Sequence, residues 1–296
     1  MTRHLLDIDD LSPVELSAVL SAAAAADPAQ VLAGKGVALI FAKASARTRN
    51  STEMAVVSLG GHPVSMRGDE VGIDVRESAE DVARTLACYH AAICARVVDH
   101  AHLERMAGAV DVPVVNLLSD RAHPCQAIAD LLTLQSHFGH LAGLTVAYVG
   151  DWNNVARSLG LGLGLVGASL RLGCPPDFGP HDADLDQLRA AGASPSVHDR
   201  VEEAVVGADA VYTDVWTSMG HEHELEARRR AFEGWTVTPA VMQRASSGAV
   251  FLHCLPAHRG DEVDAAVIDG PASLVWPQAA NRLCAARGVL SWLLAA

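Results

Sequence analysis

Long apolar runs are missing from this 296-residue chain. The best candidate, an alanine-rich stretch at 18–26, falls well short of the roughly 20 apolar residues a membrane-spanning helix needs. The opening residues, Met1-Thr2-Arg3-His4-Leu5-Leu6-Asp7, turn acidic too early for a secretory signal. A soluble, cytoplasmic protein is therefore expected, with no membrane partner. Positive charge is scarce as well: 22 Lys and Arg stand against 35 Asp and Glu, a net charge of −13. That balance argues against nucleic acid as a partner and suggests that the arginines serve small anions. None of the six cysteines forms a C-x-x-C pair, and six in a chain this long make no disulfide framework. There are fourteen histidines but no H-E-x-x-H, and His221 and His223 sit in polar sequence with no cysteine nearby, so no metal is expected.

What is present is a compact globular composition, half apolar and 19% charged, over a length sufficient for two domains. Ser12-Pro13-Val14-Glu15 reads as a capping box with proline at the first helical position, opening a helix to about residue 26. Strand-like runs at 37–41, 63–66, 92–97 and 113–117 then alternate with helical patterns at 48–59, 78–90, 103–108 and 124–138. The alternation restarts with strands at 144–149, 169–172, 210–213 and 250–253 and a helix at 154–166. The fold class expected is α/β, with two domains, each a parallel sheet flanked by helices. The segment 137–143 is the predicted junction, which gives domains of 1–140 and 141–278. By its pattern, the apolar helix at about 279–294 suits either half.

Ligands of such folds bind outside the carboxyl ends of the strands, and the chemistry-bearing motifs fall there. Ser45-Ala46-Arg47-Thr48-Arg49 lies between the first strand and a helix, where fresh N–H donors, hydroxyls and two guanidinium groups suit an anion. Arg96 closes the third strand, and His123-Pro124-Cys125-Gln126 opens a helix with a histidine and an amide. In the second half, Gly150-Asp151-Trp152-Asn153-Asn154 follows a strand without the glycine spacing of a dinucleotide turn, which disfavours a nucleotide-dependent oxidoreductase. Asn154 reads there as a candidate helix cap. Asp214-Val215-Trp216-Thr217-Ser218-Met219-Gly220 brings a carboxylate and two hydroxyls to a turn fit for a cationic amine. His253-Cys254-Leu255-Pro256 places a thiol at the last strand end. Cations in one half and carboxylate, amide and thiol in the other suggest joining a phosphorylated electrophile to an amine.

These motifs, with Asn281-Arg282, resemble in order and spacing the ornithine carbamoyltransferase family over nearly the whole chain. The resemblance implies an active site in the cleft between the two domains, a final helix at about 279–296 packed back on the first domain, and a homotrimer. It implies transfer of a carbamoyl group from carbamoyl phosphate to the δ-amino group of L-ornithine, giving L-citrulline, as part of arginine metabolism and without a cofactor. It assigns carbamoyl phosphate to Ser45, Ala46, Arg47, Thr48, Arg96, His123, Gln126, Cys254, Leu255 and Arg282. Ornithine falls to Asn154, Asp214, Ser218 and Met219, and catalysis to Arg96, His123, Asp214 and Cys254.

The chain departs from the family pattern at three positions. Ala46 replaces a usual threonine, Gly72 stands where the family commonly has a glutamine that reaches a neighbouring subunit, and Ala280 replaces a glutamate. Two alternatives accordingly accompany the main reading: transfer to another amine such as putrescine, and a non-catalytic protein that binds carbamoyl phosphate.

Overall fold

The computed structural model describes residues 2–217 and 224–295. These divide into two compact units: residues through Leu132 together with those from Ala280 onward, and Thr133–Ala279. The first division falls inside helix Pro124–Phe138, ahead of the segment where the sequence suggested a junction. Nothing in 133–138 breaks a helix, and the chain first turns at Gly139, whose φ of 78° is readily available only without a side chain.

The first unit is built on β1 (Gly36–Phe41), β2 (His62–Arg67), β3 (Ala92–Arg96) and β4 (Val114–Leu118), all parallel in the order β2-β1-β3-β4. β1 is buried along almost its full length, as a strand with helices on both faces must be. Ile40, Ile93 and Ala95 pack with Val82, Leu103 and Met106 in one core cluster. The chain leaves β1 toward β2 on one side and reaches β3 on the other, so a crevice opens between the carboxyl ends of β1 and β3. The β3–β4 register shifts opposite Ala95 and Arg96, where Leu117 of β4 is passed over.

The second unit repeats the scheme with β5 (Thr145–Val149), β6 (Ser169–Gly173), β7 (Ser196–His198), β8 (Ala210–Thr213) and β9 (Val250–His253), parallel in the order β7-β6-β5-β8-β9. Its switch point lies between β5 and β8. The short, half-exposed β7 had no counterpart in the sequence reading, because three residues carry too little periodicity to register. Trp216, Phe232, Trp235 and Phe251 anchor the core, with the Trp216 and Phe232 rings stacked at 5.3 Å. Among the described residues no helix is long and apolar enough to cross a membrane.

Candidate active site

In the first unit the segment 45–49 lies where the chain leaves the carboxyl end of β1 and enters a helix. Ser45 is the N-cap of helix Ala46–Ser58 and accepts the Thr48 N–H at 3.3 Å, while Arg47 stays exposed and Thr48 is buried. One sequence expectation is corrected here. The loop does not aim two guanidinium groups at a ligand, because Arg49 donates to Glu53 at 2.8 Å, the ion pair that i,i+4 spacing on a helix favours.

Behind the loop lies a buried polar set. Arg282 in helix Val275–Leu294 donates Nη2 to Thr48 Oγ1 at 2.6 Å and Nη1 to Gln126 Oε1. Gln126 passes a hydrogen of its amide to the buried carboxylate of Asp130 at 2.8 Å. Since Thr48 Oγ1 accepts from Arg282, its own O–H is left to donate elsewhere. His123 and Arg96 are buried as well. Burial first, then the positive fields of Arg282 and Arg96, hold the His123 imidazole well below its ordinary pKa. A neutral ring carries one N–H, and the neighbouring guanidinium groups disfavour a second positive charge there. Cys125, two residues further on, is inert: burial pushes its thiol up to about 12.

In the second unit the structure brings Asn153, Asp214 and Cys254 together across the β5–β8 switch point and the neighbouring β9. Asp214 Oδ2 accepts Asn153 Nδ2–H at 3.0 Å; Oδ1 accepts the Cys254 thiol at 3.0 Å and the Val215 N–H at 2.8 Å. The cap of helix Asn154–Leu165 is Asn153, not Asn154: its Oδ1 accepts the N–H groups of both Val155 and Ala156 at 3.0 Å. Asn154 is the first helical residue and is partly exposed at the strand end. Tyr148 and Tyr212 stack at 5.5 Å on adjacent strands, and Tyr148 Oη donates to Asn153 Oδ1 at 3.3 Å. Ser218 and Met219, with His221 and His223, lie outside the described residues.

Leu255 takes a φ of 60°, uncommon for a branched residue, and its N–H donates to His253 Nδ1 at 2.8 Å. His253 Nε2 lies 3.1 Å from Glu262 Oε1, with both side chains fully buried. The arrangement fixes the tautomer, with Nδ1 accepting and Nε2–H donating. Asp214, His253 and Cys254 present ligand-capable atoms within 4.8 Å of one another. Both ring nitrogens of His253 are already engaged, so the geometry serves hydrogen bonding better than metal coordination. Asp130 and Glu262 had gone unread in the sequence. Gln126 and Asp130 stand four apart on one helix and were accessible to a spacing argument, whereas Glu262 is joined to His253 only by the fold.

The departures from the family pattern have local settings. Gly72 ends the turn Gly68–Val71 with a φ of 65°, and a Cβ there would lie 2.8 Å from the Arg76 side chain. Ala46 and Ala280 are exposed helical positions.

A model of the aspartate/ornithine carbamoyltransferase carbamoyl-P binding domain matches residues 3–136, and one of the Asp/Orn binding domain matches 142–293. The chain is 42% identical over 302 residues to an ornithine carbamoyltransferase of Methanoculleus marisnigri, covering all of this chain and 98% of the relative. Identity is 46% over 298 residues to that of Thermus thermophilus, covering 99% and 97%. The solved ornithine carbamoyltransferase of Pyrococcus furiosus superposes with a TM-score of 0.94 at 40% identity, over 99% of this chain and 97% of that one.

Proposed function

The chain belongs to the aspartate/ornithine carbamoyltransferase family, and we propose that it moves the carbamoyl group of carbamoyl phosphate to the δ-amino group of L-ornithine, giving L-citrulline and phosphate. It is a carbamoyl-transferring enzyme. The observation that carries the amine side is the Asp214–Cys254 hydrogen bond at 3.0 Å, set at the ends of adjacent strands in the unit matched as Asp/Orn binding.

Carbamoyl phosphate is assigned to the first unit. Ser45, Arg47, Thr48 and the amides at the start of helix Ala46–Ser58 receive the phosphate, with Ala46 contributing backbone alone. Thr48 O–H, Arg96 and the neutral His123 N–H donate to the carbamoyl oxygen, where negative charge grows as the carbon becomes tetrahedral. Gln126 takes the carbamoyl NH2, and Arg282 holds Gln126 and Thr48 in register. Cys254 and Leu255 complete the grip when both substrates are bound.

Ornithine's α-ammonium and carboxylate fall to Asn154, Asp214, Ser218 and Met219. The δ-ammonium gives up one proton to become a nucleophile, and Asp214 with the Cys254 thiol orients it and assists that loss. The C–N bond forms as the amine attacks, the C–O bond to phosphate breaks with its electron pair on the departing oxygen, and the second proton passes from the nitrogen to the departing phosphate. Much of the acceleration comes from holding the two substrates in order. The same reading assigns the chain to arginine metabolism in the cytoplasm as a homotrimer, supported by the family resemblance; sedimentation equilibrium tests the assembly by its threefold chain mass.

Incubating the purified chain with carbamoyl phosphate and L-ornithine should yield L-citrulline and phosphate in equal amounts. A carbamoylated product from putrescine and none from ornithine would move the assignment to another amine, and anion binding without turnover on any amine would make it a binding protein.

A further inference from the structure

A guanidinium absent from every motif of the sequence reading joins the loops that carry the amine-side residues. Arg228, in helix Leu225–Ala231, is 14% exposed. Its Nη1 donates to Asp151 Oδ2 at 2.7 Å and to the Trp216 carbonyl at 2.9 Å, and its Nε donates to Glu224 Oε2 at 2.8 Å. The guanidinium carbon also lies 5.2 Å from the ring centre of Phe178, whose carbonyl accepts the Trp152 N–H at 2.8 Å. One side chain thus touches the turns that follow β5, β6 and β8. Asp151 stands two residues before Asn153, and Trp216 two residues after Asp214. Asn153 and Asp214 are themselves bonded at 3.0 Å.

We infer that Arg228 is a positioning residue for the amine substrate: it clamps the Asp151 and Trp216 turns so that Asn153, Asn154 and Asp214 keep their spacing. The inference rests on the functional reading above. Asp151 is 16% exposed, so its contact with Arg228 is largely shielded from solvent. Geometry makes the role specific to arginine. A planar fork with several fixed donors reaches two side chains and a carbonyl at once, which a lysine ammonium on a flexible stem does poorly. The loop has an apolar anchor of its own in Trp216, which is stacked on Phe232.

The test is steady-state kinetics of the full chain with each substrate varied in turn, on the wild type, Arg228→Gln, Arg228→Lys and the double variant Arg228→Gln/Asp151→Asn, with thermal midpoints recorded. Arg228→Gln should raise the KM for ornithine by about tenfold or more while the KM for carbamoyl phosphate stays within about twofold. The double variant should show no further rise in the ornithine KM beyond the single variant, since both changes break the same contact. Should Arg228→Gln not fold, Arg228→Lys decides: a rise confined to the ornithine KM supports the inference. An unchanged ornithine KM, equal changes for both substrates, or a double variant whose ornithine KM rises well beyond the single one's overturns it. A wild-type chain that makes no citrulline fails the functional reading itself, a separate result that takes this inference with it.

Discussion

His123 shows how a single side chain acquires its character from its surroundings. In an unfolded chain its imidazole titrates near 6.5, whereas in the fold burial and two nearby guanidinium groups hold its pKa well below that. As the pH falls below 6.5, the unfolded state takes up a proton that the folded state refuses. Stability from this group is therefore fully present above 6.5 and is lost as the pH drops toward the folded-state value. Denaturant unfolding at about pH 7.5 and about pH 5.5 should show His123→Asn losing less stability on acidification than the wild type, by up to ~1.4 kcal/mol per pH unit. Equal acid sensitivity in the two proteins would contradict a neutral, buried imidazole. The residue type and its place before Pro124 were legible in the sequence; the neutral state was not, since Arg282 is 159 positions away and only folding brings it close.

Helices carry the next level of the argument. The capping box read at Ser12 and Glu15 is present, with Ser12 Oγ accepting the Glu15 N–H and Glu15 returning the contact to the Ser12 N–H at 2.9 Å. Capping depends on residues within one turn, so sequence suffices for it. Packing between helices does not. Gly288, in the middle of helix Val275–Leu294, faces helix Pro13–Ala24 so closely that a Cβ would sit 2.7 Å from Ala23 N and Val19 O. Helix propensity alone favours alanine there by about 1 kcal/mol. Both close atoms are backbone and cannot step aside, so Gly288→Ala should instead destabilise by about 1–3 kcal/mol. Chemical denaturation measures the sign, and a stabilised variant would refute the close approach. Arg282 lies on this same helix, so the folded Gly288→Ala protein should also show a raised KM for carbamoyl phosphate.

For the whole molecule, the two units hold different groups, buried cations and a neutral imidazole in one, a carboxylate–thiol–amide chain in the other, and the proposed function divides the substrates accordingly. Arg47→Ala should weaken carbamoyl phosphate by about 10- to 100-fold in KM, the loss of a charge-assisted contact, and change the ornithine KM little. Cys254→Ala should act chiefly on use of the amine. Kinetics with each substrate varied separately distinguishes the two, and matched losses in both variants would end the division of labour. The parallel sheets were legible because alternating apolar runs and helical patterns leave few alternatives. The clustering of Asn153, Asp214 and Cys254 came from strand order, which puts β8 between β5 and β9.

By itself the sequence determined whatever depends on neighbours along the chain: strand and helix positions, the capping box of Ser12 and Glu15, the proline-led helix starts, and the motifs at the strand ends. Tertiary structure decided which of those groups meet and in what state. Arg49 went to Glu53, Asn153 took the cap that Asn154 was expected to supply, and Asp130, Glu262 and Arg228 emerged as the groups that hold others in place. The physical reason is range. Caps and periodicity act within a turn or two, whereas burial, field and hydrogen-bond partnership are set by atoms that come close only when distant segments fold together.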